Sequence, residues 1–361
     1  MKIFLCVHHL ADGGAERVSS LWAEGFARRG HEVHLITCDN EVENDYYLSD
    51  DIAVHVIPLI GNKYFRYVRL VKRLYVILKS DKPDVAIGVL FPWVLCLLLA
   101  AKPLGIPIIN TEHNAFETPR LMPMPFRLKF EKFFLNRFYN GVTVLTQVDN
   151  NIANRYFKNV FTLPNPLAFS QVSGKVNKKK VILAVGRLYD WKCKGFDVLI
   201  KSWSKIADNY PNWILRIAGR GKDNDLRFLQ ELASFEGADK QIEFVGFRKD
   251  IVELYKEAEI FVLSSRCEGF GMALIEAMSQ GCACVVCDYR GRQMEIIDKS
   301  AGIICPTDDE NALAGCIRLV IDHDGLRKDL QEQAIKRSHY YDLDKTMNRW
   351  LDILDHLGIG R

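Results

Sequence analysis

Short β-branched apolar runs alternate with longer stretches of helical periodicity along the chain, the pattern of parallel sheets joined by crossover helices. In the first half, runs at residues 2–7, 32–38, 55–58, 85–89, 107–111 and 142–146 predict strands. Helical spacing predicts helices over 15–29, 64–79, 92–102 and 124–138, the first preceded by Gly13 and Gly14 and closed by Gly30. Residues 164–180 lose periodicity and gather Pro, Gly, Ser and Lys, which marks a domain boundary. A second alternation follows, with strands predicted at 181–185, 213–218, 242–245, 260–263, 283–287 and 302–305. The reading is α/β, two doubly wound Rossmann-like domains facing a central cleft: residues 1–168, a linker over 169–180, and residues 181–341. Apolar positions at Leu343, Met347, Trp350, Leu351 and Leu354 predict a last helix over 342–357.

Length agrees with that division, because 361 residues at roughly 150 per domain give two domains with substantial cores. Apolar residues at 48% and charged residues at 26% exclude a disordered or low-complexity chain. A formal charge of +3 is too small to argue for a nucleic-acid partner, and none is expected. Ten cysteines spread over the whole chain fit a reducing cytosol. Cys282, Cys284 and Cys287 lack a complementary pair at zinc spacing and read as a buried strand, so no metal is expected. The run at 2–7 is too short for a signal peptide, and the run at 85–101 is short for a membrane span and broken by Gly88 and Pro92. A cytoplasmic location is the expectation.

Ligands of open parallel sheets collect at the carboxyl ends of strands, where helix N-termini attract anions. The loop after 260–263 carries Glu268, Gly269, Phe270 and Gly271 and opens a helix containing Glu276. The glycines admit a ligand to the backbone, and the carboxylates suit sugar or ribose hydroxyls, since they would repel phosphate. The plainer alternative makes Glu268 a helix cap and Glu276 half of a surface ion pair. After 181–185 come Gly186, Arg187, Asp190, Lys192, Lys194, Gly195 and Asp197. Arg and Lys together suit a diphosphate without a metal; the alternative is a solvated charged loop. Asp12, Gly13 and Gly14 follow the first strand but lack a full dinucleotide fingerprint, and Gly219 with Gly221 forms a similar, weaker signal. His113, between Glu112 and Asn114, is a candidate to hydrogen-bond a reacting sugar or stabilise charge, against the commoner structural histidine; His8 and His9 rank below it.

Taken together these residues resemble the retaining glycosyltransferases of family 4, which have the GT-B fold. The match runs from Gly13, Gly14, Glu16 and Arg17 through Pro164, Asn165 and Pro166, Gly186 and Arg187, Lys194 to Asp197, Gly219 and Gly221, and Val245 with Gly246. Its most specific part is Glu268 followed by seven residues and Glu276, about 80 residues beyond the Arg187 motif. The resemblance implies that Arg187 and Lys194 hold the donor diphosphate and Glu276 the ribose. It assigns the transferred sugar and phosphate to Glu268 with residues 269–271, with Gly186 and Gly219 lining the same site. Gly13 and Gly14 would close on the donor from the other domain, and His113 matches a histidine near the donor sugar. Arg187 and Lys194 stand about two residues further apart than in the common form. Lys192 and Lys194 both remain candidates for the phosphate lysine, with Lys194 favoured because Gly195 follows. The implied reaction moves a sugar from a nucleotide diphosphate, UDP or GDP type, to an acceptor hydroxyl with retention, without cofactor or metal. In this fold the final helix, 342–361, returns to the first domain.

Residues 62–80 and 120–137 are basic and aromatic, which suits contact with an anionic membrane surface and a glycan or lipid-linked acceptor, as in cell-surface polysaccharide assembly. An amphipathic helix packed through Tyr64, Val68, Val71 and Leu78 is the competing reading. Two rivals remain: a sugar-nucleotide epimerase of the same fold, and, from another class, a non-catalytic sugar-nucleotide- or glycan-binding module. A nicotinamide oxidoreductase is disfavoured by the missing fingerprint.

Overall fold

The computed structural model describes residues 1–10, 13–38, 48–59, 62, 65–90, 93–118, 123–174 and 177–360. Asp12 of the first glycine loop, Lys63 and Tyr64 of one basic segment and Arg120 of the other lie outside the described residues. The chain divides into two compact units: Met1–Ala168 with Tyr341–Arg361, and Phe169–Tyr340.

The first unit is built on β1 (Lys2–Cys6), β2 (Glu32–Thr37), β3 (Ala53–Val56), β4 (Val85–Val89), β5 (Ile108–Glu112), β6 (Gly141–Val144) and β7 (Val160–Thr162). They form one parallel sheet in the order β3-β2-β1-β4-β5-β6-β7. Strand β7 has no counterpart in the sequence reading: three residues at the sheet edge are too few to show a period. Central strands are buried on both faces, so Ile3, Phe4, Leu5 and Ile87 read as continuous apolar runs.

Helix Gly14–Ala27 buries Val18, Trp22 and Phe26, and the last helix, Leu343–His356, lays Met347 and Trp350 on it. The Trp22 and Trp350 rings meet edge to face at 5.1 Å. Gly25 permits this approach, because a Cβ there would stand 2.6 Å from Met347. Helix Phe65–Asp81 buries Leu70, Leu74 and Leu78, whereas Val68 is exposed. This corrects the predicted packing stripe: apolar residues surround this helix, several stripes fit its spacing, and only tertiary contact selects one.

The second unit carries β8 (Lys179–Val185), β9 (Ile214–Ala218), β10 (Ile242–Gly246), β11 (Ala258–Leu263), β12 (Ala283–Cys287) and β13 (Gly302–Cys305), all parallel in the order β10-β9-β8-β11-β12-β13. The stretch expected as a linker is fastened to this unit: the Val172 amide donates to Ser279 O, and the Lys178 ammonium donates to the carbonyls of Ala258 and Gln280 at 2.9 and 2.8 Å. The strand order reverses between β8 and β11, which sets the loops following these two strands side by side at the carboxyl edge. Among the described residues no helix is long and apolar enough to cross a membrane.

Candidate functional site

The two loops at the switch point of the second unit are stitched together. Ser264 Oγ donates to Lys194 O at 2.8 Å, and the Arg266 amide donates to Cys193 O at 2.8 Å. The Arg266 guanidinium grips both carboxylate oxygens of Asp197 at 2.8 and 2.9 Å, a bidentate pair of the strong kind. Gly195, at φ +66°, lies so close that a Cβ would fall 2.0 Å from Ser264 O. This register brings Lys194 Nζ to 2.8 Å from Glu268 Oε1, with both side chains mostly buried. Ser265 Oγ donates to the same Glu268 oxygen at 2.6 Å. Burial disfavours the Lys194 charge, but Glu268 outweighs it and holds the ammonium above the ordinary lysine range. Lys192 is exposed, its ammonium over the Trp191 ring at 5.2 Å, so of the two candidate lysines only Lys194 reaches Glu268. Arg187 is half exposed and turned to Asp190 at 3.2 Å.

The backbone floor of this site is glycine. The Gly186 amide donates to Ala218 O and the Gly219 amide to Gly246 O, and a Cβ at Gly219 would fall 1.7 Å from Gly186 O. Gly271, at φ +107°, caps helix Met272–Ser279, while buried Phe270 accepts a hydrogen bond at its carbonyl from Tyr289. Glu268 makes no side-chain cap, and Glu276 is buried rather than at a surface ion pair; its Oε2 accepts from Tyr255 Oη at 3.0 Å. Both plainer alternatives for these carboxylates therefore fail.

In the first unit, Gly13 stands before helix Gly14–Ala27, and the Glu16 carboxylate folds over it, where a Cβ at Gly13 would meet Glu16 Oε2 at 1.6 Å. The expected opening for a phosphate or sugar is therefore covered at Gly13 by an acid side chain, while Gly14 stays exposed. His113 immediately follows β5. Both its ring nitrogens are buried and, among the described residues, without a hydrogen-bond partner, and burial pushes the imidazole down to about 4, keeping it neutral. The loop behind it is pinned by fully buried Lys132, whose ammonium donates to the carbonyls of Asn114 and Ala115 at 2.7 and 3.2 Å and pairs with Glu112 at 3.1 Å.

Residues 12–167 match the model described as Glycosyltransferase Family 4, and residues 167–337 the model described as Glycosyl transferases group 1. The chain belongs to the group 1 glycosyltransferases. It is 27% identical, over 98% of each chain, to the Campylobacter jejuni alpha-1,4-N-acetyl-D-galactosaminyltransferase named for a diNAcBac-PP-undecaprenol glycan. An Escherichia coli UDP-Gal:alpha-D-GlcNAc-diphosphoundecaprenol alpha-1,3-galactosyltransferase is 24% identical over 86% of this chain and 85% of its own. Among solved structures, Anabaena HepE in complex with UDP and glucose superposes with a TM-score of 0.84 at 18% identity, over 99% of this chain and all of that one. The fold of this glycosyltransferase is GT-B, with one parallel sheet of seven strands and one of six among the described residues.

In this glycosyltransferase the second-unit loops bring the Lys194 ammonium and the Glu268 carboxylate together beside Gly186, just ahead of the helix that carries Glu276. Such a set can meet a diphosphate and hydroxyl donors together. Sequence reading missed the residues that hold the set in place. Arg266 was legible in principle as a charged residue between strand and motif, while its partner Asp197 already belongs to the motif after β8. Tyr255 and Tyr289 carried no local signal, since they reach Glu276 and the Phe270 carbonyl only through the tertiary fold.

Proposed function

We propose that the protein transfers a sugar from a nucleotide diphosphate to a hydroxyl of a lipid-linked glycan, with retention at the anomeric carbon. The observation that carries the donor reading is the buried Lys194–Glu268 contact beside the Gly186 and Gly219 backbone, with Glu276 in the helix that follows Glu268. In this reading Lys194 and Arg187 take the diphosphate oxygens, helped by the N-terminus of helix Met272–Ser279. Glu276 accepts the ribose hydroxyls, and Glu268 with the amides of 269–271 takes the sugar and its phosphate. Neutral His113 offers one donor and one acceptor to a sugar hydroxyl. Gly13 and Gly14 contribute backbone to the donor only after the Glu16 carboxylate moves aside. The bond from the anomeric carbon to the phosphate oxygen breaks, the acceptor oxygen bonds to that carbon from the same face, and the acceptor proton passes to the leaving phosphate. Cations and backbone dipoles stabilise the departing charge, so the transfer runs without a divalent ion at this site.

The acceptor side rests on a different surface. Phe126, Phe130, Phe134 and Phe138 recur every fourth residue and are all exposed, interleaved with Arg127, Lys129 and Arg137. Helix Phe65–Asp81 adds exposed Phe65, Val68 and Val76 beside its own basic residues. An apolar row edged by cations suits the headgroup region of an anionic bilayer, where a polyprenyl diphosphate acceptor is presented. The relatives named for undecaprenol-linked substrates support the same acceptor class.

The test is a thermal-shift panel of UDP-, GDP- and ADP-sugars with and without chelator, followed by transfer to a polyprenyl-diphosphate glycan in anionic vesicles. Stabilisation by one nucleotide class that survives chelator, with an α-configured product from an α-configured donor, is the expected result. Release of free nucleotide with an epimerised sugar and no acceptor product would support the epimerase instead.

A further inference from the structure

The amino-terminal end of the first sheet holds a second cluster, unrelated to the loops above. His34 on β2 and His55 on β3 face the same side of the sheet, and Asp81 closes helix Phe65–Asp81 beside them. One donor atom from each lies within 4.8 Å of the others. His34 Nδ1 and His55 Nε2 are 2.8 Å apart. The His34 ring stacks on buried Phe4 with centroids 4.5 Å apart, which fixes its plane. Its other nitrogen, Nε2, lies 3.0 Å from Glu32 Oε1, and Glu32 is held in turn by Lys2 at 2.9 Å.

We infer that His34, His55 and Asp81 form a binding site for a divalent cation of the zinc class. The Glu32 contact is the argument beyond proximity. A carboxylate accepting from Nε2–H leaves the Nδ1 lone pair of His34 directed at the cluster, the orientation that metal-ligating histidines receive from their outer partners. Two imidazoles and one carboxylate are a donor set for Zn²⁺, Co²⁺ or Ni²⁺ rather than for Mg²⁺ or Ca²⁺. Without a cation, His55 Nε2–H donates to His34 Nδ1; binding moves that proton to His55 Nδ1 and frees Nε2 to coordinate. At metal–nitrogen distances of about 2.0–2.1 Å, tetrahedral ligands stand roughly 3.3 Å apart. The imidazoles must therefore separate by about half an ångström, which His55 on edge strand β3 allows. Three protein ligands leave a fourth position for water. The cation would tie β3, bonded on one side only, to the end of helix Phe65–Asp81.

The test titrates the purified chain with Co²⁺ and Zn²⁺, reading visible cobalt bands, stoichiometry by calorimetry, and melting temperature. One cation per chain is expected, with cobalt d–d bands, no thiolate charge-transfer band, and a melting temperature raised by several degrees. Asp81→Asn and His55→Ala should each weaken binding by tenfold or more, and Glu32→Gln by roughly ten- to a hundredfold. All three should melt near the wild-type temperature in chelator, which shows that they fold. No uptake, a thiolate band from the free cysteines, or binding unchanged in His55→Ala would each overturn the assignment.

Discussion

Lys194 and Glu268 are joined by a 2.8 Å contact between side chains only 16% and 12% exposed. At that distance an effective dielectric of about 20 gives an attraction of about 6 kcal/mol, against which both groups lose hydration. Removing one partner of such a pair costs about 3–5 kcal/mol because the survivor stays buried and charged. Here the Ser265 hydroxyl still serves Glu268, so Lys194→Met should sit at the lower end, about 3 kcal/mol. The double variant Lys194→Met/Glu268→Gln leaves no buried charge and should be less destabilised than the two singles added together by about 2 kcal/mol. Urea unfolding of wild type, both singles and the double in about 0.15 M salt measures this. Calorimetric titration of the same four proteins with the nucleotide identified by the ligand panel reads the functional side. Lys194→Met should lose ten- to a hundredfold in affinity through one missing charge-assisted bond, about 1.5–3 kcal/mol. Single effects that add to within about 0.5 kcal/mol in the double would refute the claim that the pair is coupled.

Three further outcomes follow from the same geometry. Glu276→Ala should weaken nucleotide binding with little change in turnover of bound donor, and Tyr255→Phe, which removes one hydrogen bond to the Glu276 carboxylate, should raise KM a few-fold; Glu268→Ala should chiefly lower kcat, and steady-state kinetics separate the cases. His113 is held at about 4 against an ordinary 6.5, so its contribution to stability is complete above the unfolded value and is lost as pH falls from about 6.5 to 4, by up to about 3 kcal/mol. Urea midpoints between pH 7 and 4.5 should therefore fall more steeply in wild type than in His113→Asn. Gly219→Ala sets a methyl 1.7 Å from Gly186 O and should cost about 2–4 kcal/mol in urea unfolding and weaken donor binding, whereas Gly315→Ala, in open space within a helix, should be neutral or slightly stabilising by the same unfolding assay.

The strands were legible because burial on both faces demands unbroken apolar, β-branched runs, as at 85–89 and 283–287, where the predicted and observed limits coincide. Limits slipped where the edge of the sheet relaxes that demand: β3 was placed two residues late, and β7 was not seen. Glu268 and Lys194 were joined in one donor site only through the resemblance, and the observed strand order supplies the reason, since it puts β8 beside β11 whatever lies between them. Their direct bond was not legible, since the reading assigned each to a different part of the donor. Opposite charges brought into one partly buried loop pair with each other first, and a donor must share or displace that contact. The covering of Gly13 by Glu16 has the same character: the glycine announces close approach, but not by what.

The first unit is written in two pieces, with all of residues 169–340 inserted between them. On a ribosome, the face formed by Trp22, Gly25 and Phe26 therefore emerges long before Met347 and Trp350, the residues that cover it. At about 5–20 residues per second the wait is roughly fifteen to sixty-five seconds, far longer than collapse or hairpin formation. The second unit is contiguous and can finish within that interval, while the first must hold an aromatic helix face open until helix Leu343–His356 is made. Truncation before residue 343 therefore leaves the nascent chain with an uncovered tryptophan, a ready handle for chaperones and proteases, and docking of helix Leu343–His356 is the step that closes the first unit.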